Sequence, residues 1–241
     1  MLKKDSENPD IFGRALLDFY NNNYTEDITV ISSLTEDDVI PVPYLFRSYA
    51  EMPELEQKAL DLTTGKTLDI GSCAGSHALY LQEKGIDVIA LDQSTGAIEV
   101  CKKRGIHKTI QADIRNYSEE KFDTLLLMMN GTGIFQRLEF VQDYLKHLEL
   151  LLNDSGQILV DSSDIAFMYE EEDGSYWRDA TRDYYGEVTF KISYKNKTSK
   201  SFDWLYLDFE TLKKEALSIG LVCEKIADGP HFEYLAKLTK P

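Results

Sequence analysis

Residues 66–75, KTLDIGSCAG, decide the fold of this chain. The run is β-branched and aliphatic as far as Ile70, carries Asp69 near its end, and opens into a turn flanked by Gly71 and Gly75 ahead of a helical stretch. A strand that passes through small residues into a helix is the opening unit of an α/β sheet. There a ligand lies beyond the carboxyl ends of the parallel strands, and glycine lets backbone come close to it. A second strand, DVIAL at 87–91, ends in Asp92, about 20 residues beyond Gly71, where a carboxylate can accept hydrogen bonds from ribose hydroxyls. Together they mark the entrance to a nucleoside site.

Outward from this unit the pattern alternates from Gly65 to about Asp161: strand 66–71, helix 76–84, strand 87–92, helix 95–104, strands 107–111 and 122–129, helix 136–152, strand 156–161. Alternation at this pitch predicts a parallel sheet. Gly85 and Gly105 stand where a left-handed residue ends a helix, and Lys102, Lys103 and Arg104 complement the dipole of a last turn. After Asp208, Phe209, Leu212, Ala216 and Leu217 mark a final helix. The strands LVCEKIA and FEYLAKL follow, joined at Gly229-Pro230, so the last strand is expected to run antiparallel.

Two additions flank this core. Residues 1–60 show no strand of note and read as a helical cap, broken by the asparagines at 21–23 and by Pro41-Val42-Pro43, with a second helix over about Pro53 to Leu62. Residues 163–207 form an insertion. Within it Val188, Phe190, Ile192 and Tyr194 alternate with polar residues, and Phe202, Trp204 and Tyr206 follow the NKTS turn at the same period of two, an amphipathic hairpin suited to a lid or to a homodimer contact. The acidic run Glu170 to Asp173 reads as a solvated loop.

At 241 residues, 43% apolar, the chain can bury a full core as one domain. A net charge of −16 argues against general affinity for nucleic acid or anionic membrane. The N-terminus lacks an apolar stretch after its basic residues, and no segment approaches eighteen apolar residues, so a cytoplasmic location is expected. Three widely spaced cysteines fit reduced thiols, and His77, His107, His147 and His231 show no metal-ligand spacing, so no metal is expected.

The identity of the nucleoside turns on two features. A dinucleotide fingerprint wants glycine at positions 73 and 76, and Cys73 and Ser76 stand there. Asp69, Asp92 and Asp113 all fall at or near the ends of the first three strands, and three carboxylates suit a cationic adenosine better than a pyrophosphate. Unit charges about 4 Å apart near a protein surface interact by about 4 kcal/mol, enough to select the sign of a ligand.

With these residues the chain resembles the class I S-adenosylmethionine-dependent methyltransferases, over 60–163 and, in outline, 208–241. Their first-strand motif, an acidic residue followed by alternating glycines, is matched by Asp69, Gly71 and Gly75, with Cys73 departing from it. The resemblance implies a Rossmann-like, seven-stranded, mostly parallel sheet with helices on both faces. It also implies S-adenosylmethionine as cofactor, Asp92 with Gln93 at the ribose, Asp113 and Ile114 at the adenine, and Met129 and Asn130 toward the methyl end. The stretch PVPYLFRSYAEMPELEQKAL and the MNGTG turn look like a bacterial subgroup of that family. Methyl transfer to a small-molecule acceptor by in-line displacement is the implied reaction, with catalysis mainly by positioning.

The acceptor pocket is expected among Tyr44, Arg47, Asp161 and Trp204. Plainer roles stand beside these: Arg47 in a surface salt bridge of the cap, Asn130 as a turn residue, His77 as a structural or exposed imidazole, and the aromatic stripe as packing. Two rival functions remain, a nicotinamide-dependent dehydrogenase and a non-catalytic adenosylmethionine sensor. The first lacks a Y-x-x-x-K pair in 140–190.

Overall fold

The computed structural model describes residues 9–170 and 182–241. In chain order the elements are α1 (Ile11–Tyr20), β1 (Ile28–Ser32), β2 (Asp38–Ile40), α2 (Glu54–Leu62), β3 (Thr67–Ile70), α3 (Ser76–Glu83), β4 (Val88–Asp92), α4 (Thr95–Lys103) and β5 (Thr109–Gln111). They continue with β6 (Phe122–Leu127), α5 (Val141–Leu150), β7 (Leu152–Ser163), β8 (Glu187–Tyr194), β9 (Lys197–Thr198), β10 (Phe202–Leu205), α6 (Phe209–Ser218), β11 (Val222–Asp228) and β12 (Glu233–Thr239).

Seven strands form one sheet in the order β11-β12-β7-β6-β3-β4-β5, parallel except that β12 runs against both β11 and β7. Side chains alternate across it as the strand period requires. Leu125 and Leu127 face α5 and α6 with Tyr144, Leu145, Leu148 and Leu212, whereas Leu126 faces α2 and α3 with Ala59, Leu60, Ala78 and Leu81. Both faces are therefore covered, which is why β4 and the second half of β6 read as continuous apolar runs. The strand order reverses beside β3, and a ligand crevice opens at such a reversal.

The strands expected over 107–111 and 122–129 are two residues shorter, at Thr109–Gln111 and Phe122–Leu127, and two segments differ more. The helix expected over 136–152 starts at Val141, because Gln136 takes φ +70° and Arg137 is extended, leaving 131–135 and 138–140 as 3-10 turns. The strand expected over 156–161 runs from Leu152 to Ser163, since β12 pairs with it from Gln157 to Ser163.

The larger correction concerns the N-terminal segment. It is not purely helical: β1 and β2 pair with each other, and β1 pairs antiparallel with β8, giving a second sheet ordered β10-β8-β1-β2 with β9 beside β8. The hairpin predicted in the insertion is present, and β1 covers the edge of β8 that would otherwise lie open. Its aromatic stripe is packed: Tyr194 is buried with Ile11, Ile28 and Val42, and Phe190 lies against Val188 and Tyr169. Of the acidic run, 171–173 lie outside the described residues. Among the described residues no helix is long and apolar enough to cross a membrane.

Candidate active site

The loop after β3 bends through three left-handed residues, Gly71 (φ +75°), Cys73 (φ +53°) and Gly75 (φ +79°). A Cβ at Gly71 would meet no atom within 4 Å, so the loop leaves open space over its backbone there; at Gly75 it would strike Ile106. Cys73 holds a conformation that costs a side chain about 1 kcal/mol or more, and its N–H donates to Asp92 Oδ2 at 2.9 Å. Asp92 Oδ1 takes the Ser94 N–H at 2.8 Å. The end of β4 thus braces the loop after β3, and burial raises the Asp92 carboxyl above its ordinary value against these backbone donors. Burial also pushes the Cys73 thiol up, away from the thiolate form that a nucleophile needs.

Beneath the loop lies a buried row of ionisable groups. Arg47 Nη2 contacts Glu56 Oε2 at 2.5 Å, His77 Nε2 lies 2.8 Å from the same oxygen, and His77 Nδ1 is 4.0 Å from Asp69 Oδ1. Asp69 is 2% exposed. Its desolvation drives the carboxyl up to about 6, although His77 and the Ala78 N–H pull the other way. Burial opposes ionisation of Glu56 too, but the hydrogen bond and charge of His77, with Arg47, outweigh it and leave that carboxyl low. Arg47 is therefore not in a surface salt bridge; it is buried, with Tyr44 against its guanidinium at 4.2 Å. Sequence reasoning missed Glu56. The signal was a carboxylate within the buried stripe Leu55, Glu56, Ala59, Leu60 of α2.

Asp113 follows β5, caps a 3-10 turn and pairs with Arg115 at 2.6 Å. That hydrogen-bonded arginine holds its carboxyl below the usual range. With Asp113 paired to Arg115, the rim is less negative than a count of three carboxylates implies. Ile114 is buried, and its carbonyl lies 2.7 Å from His147 Nε2.

At the end of β6 two consecutive non-glycine residues, Met129 (φ +66°) and Asn130 (φ +59°), are left-handed. Asp161 at the end of β7 holds them: its oxygens accept the N–H groups of Met129 at 3.1 Å and Gly131 at 2.9 Å. Asn130 Nδ2 donates to the Leu205 carbonyl at 3.2 Å, tying the turn to the second sheet. A side chain held in this backbone region needs such external support, and Met129 projects 37% exposed at the rim. Asp161 thus braces a turn, and burial raises its carboxyl to about 6. Trp204 sits against Gly133, where a Cβ would fall inside the indole. The structure brings Asp69, Gly71, Cys73, Asp92, Tyr44 and Arg47 into one neighbourhood and Met129, Asn130, Asp161 and Trp204 into an adjoining one, with Asp161 facing Glu56 and His77 between them. Gln93 follows Asp92, and its carbonyl takes a long bond from Gln111 at 3.4 Å.

This architecture matches solved proteins. A methyltransferase-domain family model matches residues 68–160. A S-adenosylmethionine-dependent methyltransferase from Bacteroides fragilis, solved with S-adenosyl-L-homocysteine, is 43% identical over 96% of this chain and 94% of its own, with a TM-score of 0.90. The chain belongs to the S-adenosylmethionine-dependent methyltransferases.

More distant structures share the fold alone. DesVI of Streptomyces venezuelae is 19% identical over 83% of this chain and 96% of its own, with a TM-score of 0.56. An amino pentose methyltransferase from Micromonospora echinaspora is 12% identical over 83% and 94%, with a TM-score of 0.55. No curated protein matches the chain. Membership in this family sets aside the nicotinamide dehydrogenase reading. The residues present suit the methyltransferase cofactor: open backbone at Gly71, a carboxylate ending β4, and no glycine at 73 or 76 to admit a pyrophosphate.

Proposed function

We propose that this methyltransferase acts on a small-molecule acceptor by in-line displacement. The observation that carries the reading is the enclosure of the rim. The second sheet is tied to the β6 turn through Asn130 and Thr132, both bonded to the Leu205 carbonyl, while the N-terminal segment reaches α3 through the Ser76 hydroxyl on the Leu45 carbonyl at 2.9 Å. A mouth framed by two packed additions suits a small acceptor, and a net charge of −16 disfavours a polyanion. In this reading 1–60 is a cap, 61–162 with 208–241 the core, and 163–207 a lid, within one domain.

S-adenosylmethionine, when bound, supplies a methyl carbon already activated by its sulfonium. The chain's contribution is alignment, which can account for several kcal/mol of a barrier, and a base is needed only for an acceptor that arrives protonated. We assign Gly71, Cys73 and Gly75 with Asp69 to the loop that receives the cofactor, Asp92 and Gln93 to the ribose, Asp113 and Ile114 to the adenine, and Met129 and Asn130 to the reacting end. Tyr44, Arg47, Asp161 and Trp204 border the acceptor side; Asp161 acts there by holding the turn.

Calorimetry with S-adenosylhomocysteine tests this reading, followed by turnover on a panel of small amines, hydroxyls and acidic carbon compounds beside RNA and DNA. Asp92→Ala is expected to weaken the ligand by about 1–3 kcal/mol. Unchanged affinity would remove the ribose assignment, and methylation confined to nucleic acid would remove the acceptor class.

A further inference from the structure

The row Arg47–Glu56–His77–Asp69 alternates in charge type, is buried along its length, and ends at both sides in an atom with no hydrogen-bond partner, Arg47 Nε and Asp69 Oδ2. Apolar side chains of similar volume would stabilise such an interior at least as well. The row is also not symmetrical. Glu56 is held firmly by two donors, whereas Asp69 has only the longer 4.0 Å approach of His77 and the neighbouring Ala78 N–H. The groups facing Asp69 are His77 and Ala78 from α3, Glu56 from α2, Asp92 from β4 and Cys101 from α4. Asp161 faces Glu56 and His77 from β7. Asp69 lies at the foot of the loop that the family uses for its cofactor, so the row joins the N-terminal segment to the place where a cationic ligand settles.

We infer that His77, held by Glu56, is a positioning residue for Asp69, and that it poises this carboxyl to release a proton when the ammonium group of the cofactor's amino-acid end occupies the loop. The inference rests on the adenosylmethionine reading of the site. In the free protein, burial places the Asp69 carboxyl near 6. A cation arriving on the loop favours the carboxylate, so one proton passes from Asp69 to solvent and the new negative charge faces the ligand. Affinity then rises with pH up to the free-state value and is level above it, about tenfold between pH 5 and pH 7.5 for a shift of two units or so. His77 lowers the Asp69 value, so removing it moves the midpoint of the profile to higher pH.

The test is calorimetric titration of the full chain with S-adenosylhomocysteine from pH 5 to 7.5, in pairs of buffers with different ionisation enthalpies. The expected results are net proton release near pH 6, vanishing by pH 7.5, and the tenfold rise in affinity. Methylthioadenosine, which lacks the amino-acid end, is expected to bind with a flat profile. His77→Gln, which keeps a hydrogen-bonding group toward Glu56, should bind with its midpoint moved upward. Asp69→Asn should flatten the profile and Asp161→Asn should preserve it. Binding without proton release in the wild type overturns the inference, as does an unmoved midpoint in His77→Gln or a profile that disappears in Asp161→Asn and persists in Asp69→Asn. The proton count is made on the wild type, so it stands even if a variant fails to fold. Absence of S-adenosylhomocysteine binding at every pH would instead sink the cofactor reading itself.

Discussion

In the seven-stranded sheet, β3 and β4 are each followed immediately by the helix that covers them, whereas the antiparallel sheet takes β1 and β2 from 28–40 and β8 and β10 from 187–205. The first is stabilised by apolar layers on both faces. The second is a thinner layer whose strands are mostly half-buried. Its ties to the core include Leu205 to Asn130 and Thr132, Glu187 accepting the Leu138 N–H, Trp204 on Gly133, and Arg137 to Asp203. A scaffold built from local units can thus carry a roof assembled from distant ones, provided the joints between them are fixed.

The sharpest way to break this comparison is in the scaffold. Phe122→Ala, at a fully buried position of β6, is expected to cost about 3–5 kcal/mol and to lower the denaturation midpoint of both sheets together. Independent melting of the second sheet would show that it does not need the first. Next comes the joint. Gly133→Ala places a methyl inside the Trp204 indole and should cost about 3 kcal/mol through overpacking, with hydrogen exchange rising first in β10 and β8. Uniform loss of protection would mean that the joint is part of the core.

Acidity separates the two sheets further. Asp69 and Asp161, both at the rim of the first, have carboxyls raised to about 6 by burial, above the roughly 3.9 of an unfolded chain. The native state therefore holds more protons between these values. Each carboxyl contributes stability that is complete below about pH 4 and is lost as the pH rises through 6, amounting to about 3 kcal/mol per group. Urea unfolding at pH 5 and pH 7.5 should show Asp161→Asn with a smaller decline than the wild type; an identical decline would contradict the assignment. The smallest effect is expected from Arg137→Ala, which removes an exposed pair 2.8 Å long with Asp203 and should cost less than about 1 kcal/mol. A larger loss would make that pair a principal joint of the roof.

The scaffold was legible because its information is local. Gly85 and Gly105 stop α3 and α4 where they stand in the sequence, and both take the left-handed conformation expected of them. The period of two at Val188 to Tyr194 gives β8 for the same reason. ITVIS at 28–32 is β-prone and pairs with the three-residue β2, but its other partner β8 lies some 160 residues onward, and nothing nearby announces that pairing. At the site, Gly71, Gly75 and Asp92 were readable from spacing, whereas the strain at Met129 and Asn130 and its cause in Asp161 required the packed turn. Asp161 was read as a pocket residue because its end-of-strand position is visible and its two backbone partners are not. The pairing of Asp113 was within reach, since Arg115 stands two residues away in QADIRNY.

The separation between β1 and β8 has a consequence during synthesis. At ribosomal speeds of about 5–20 residues per second, the interval between emergence of Ser32 and of Tyr194 is roughly 10–30 s. Through that time the ITVIS segment has only the short β2 on one edge, and its other, open edge is a template for a neighbouring nascent chain. The acidic residues that bracket it, Glu26 and Asp27 before and Glu36, Asp37 and Asp38 after, stand where gatekeeping charges would keep it soluble while it waits.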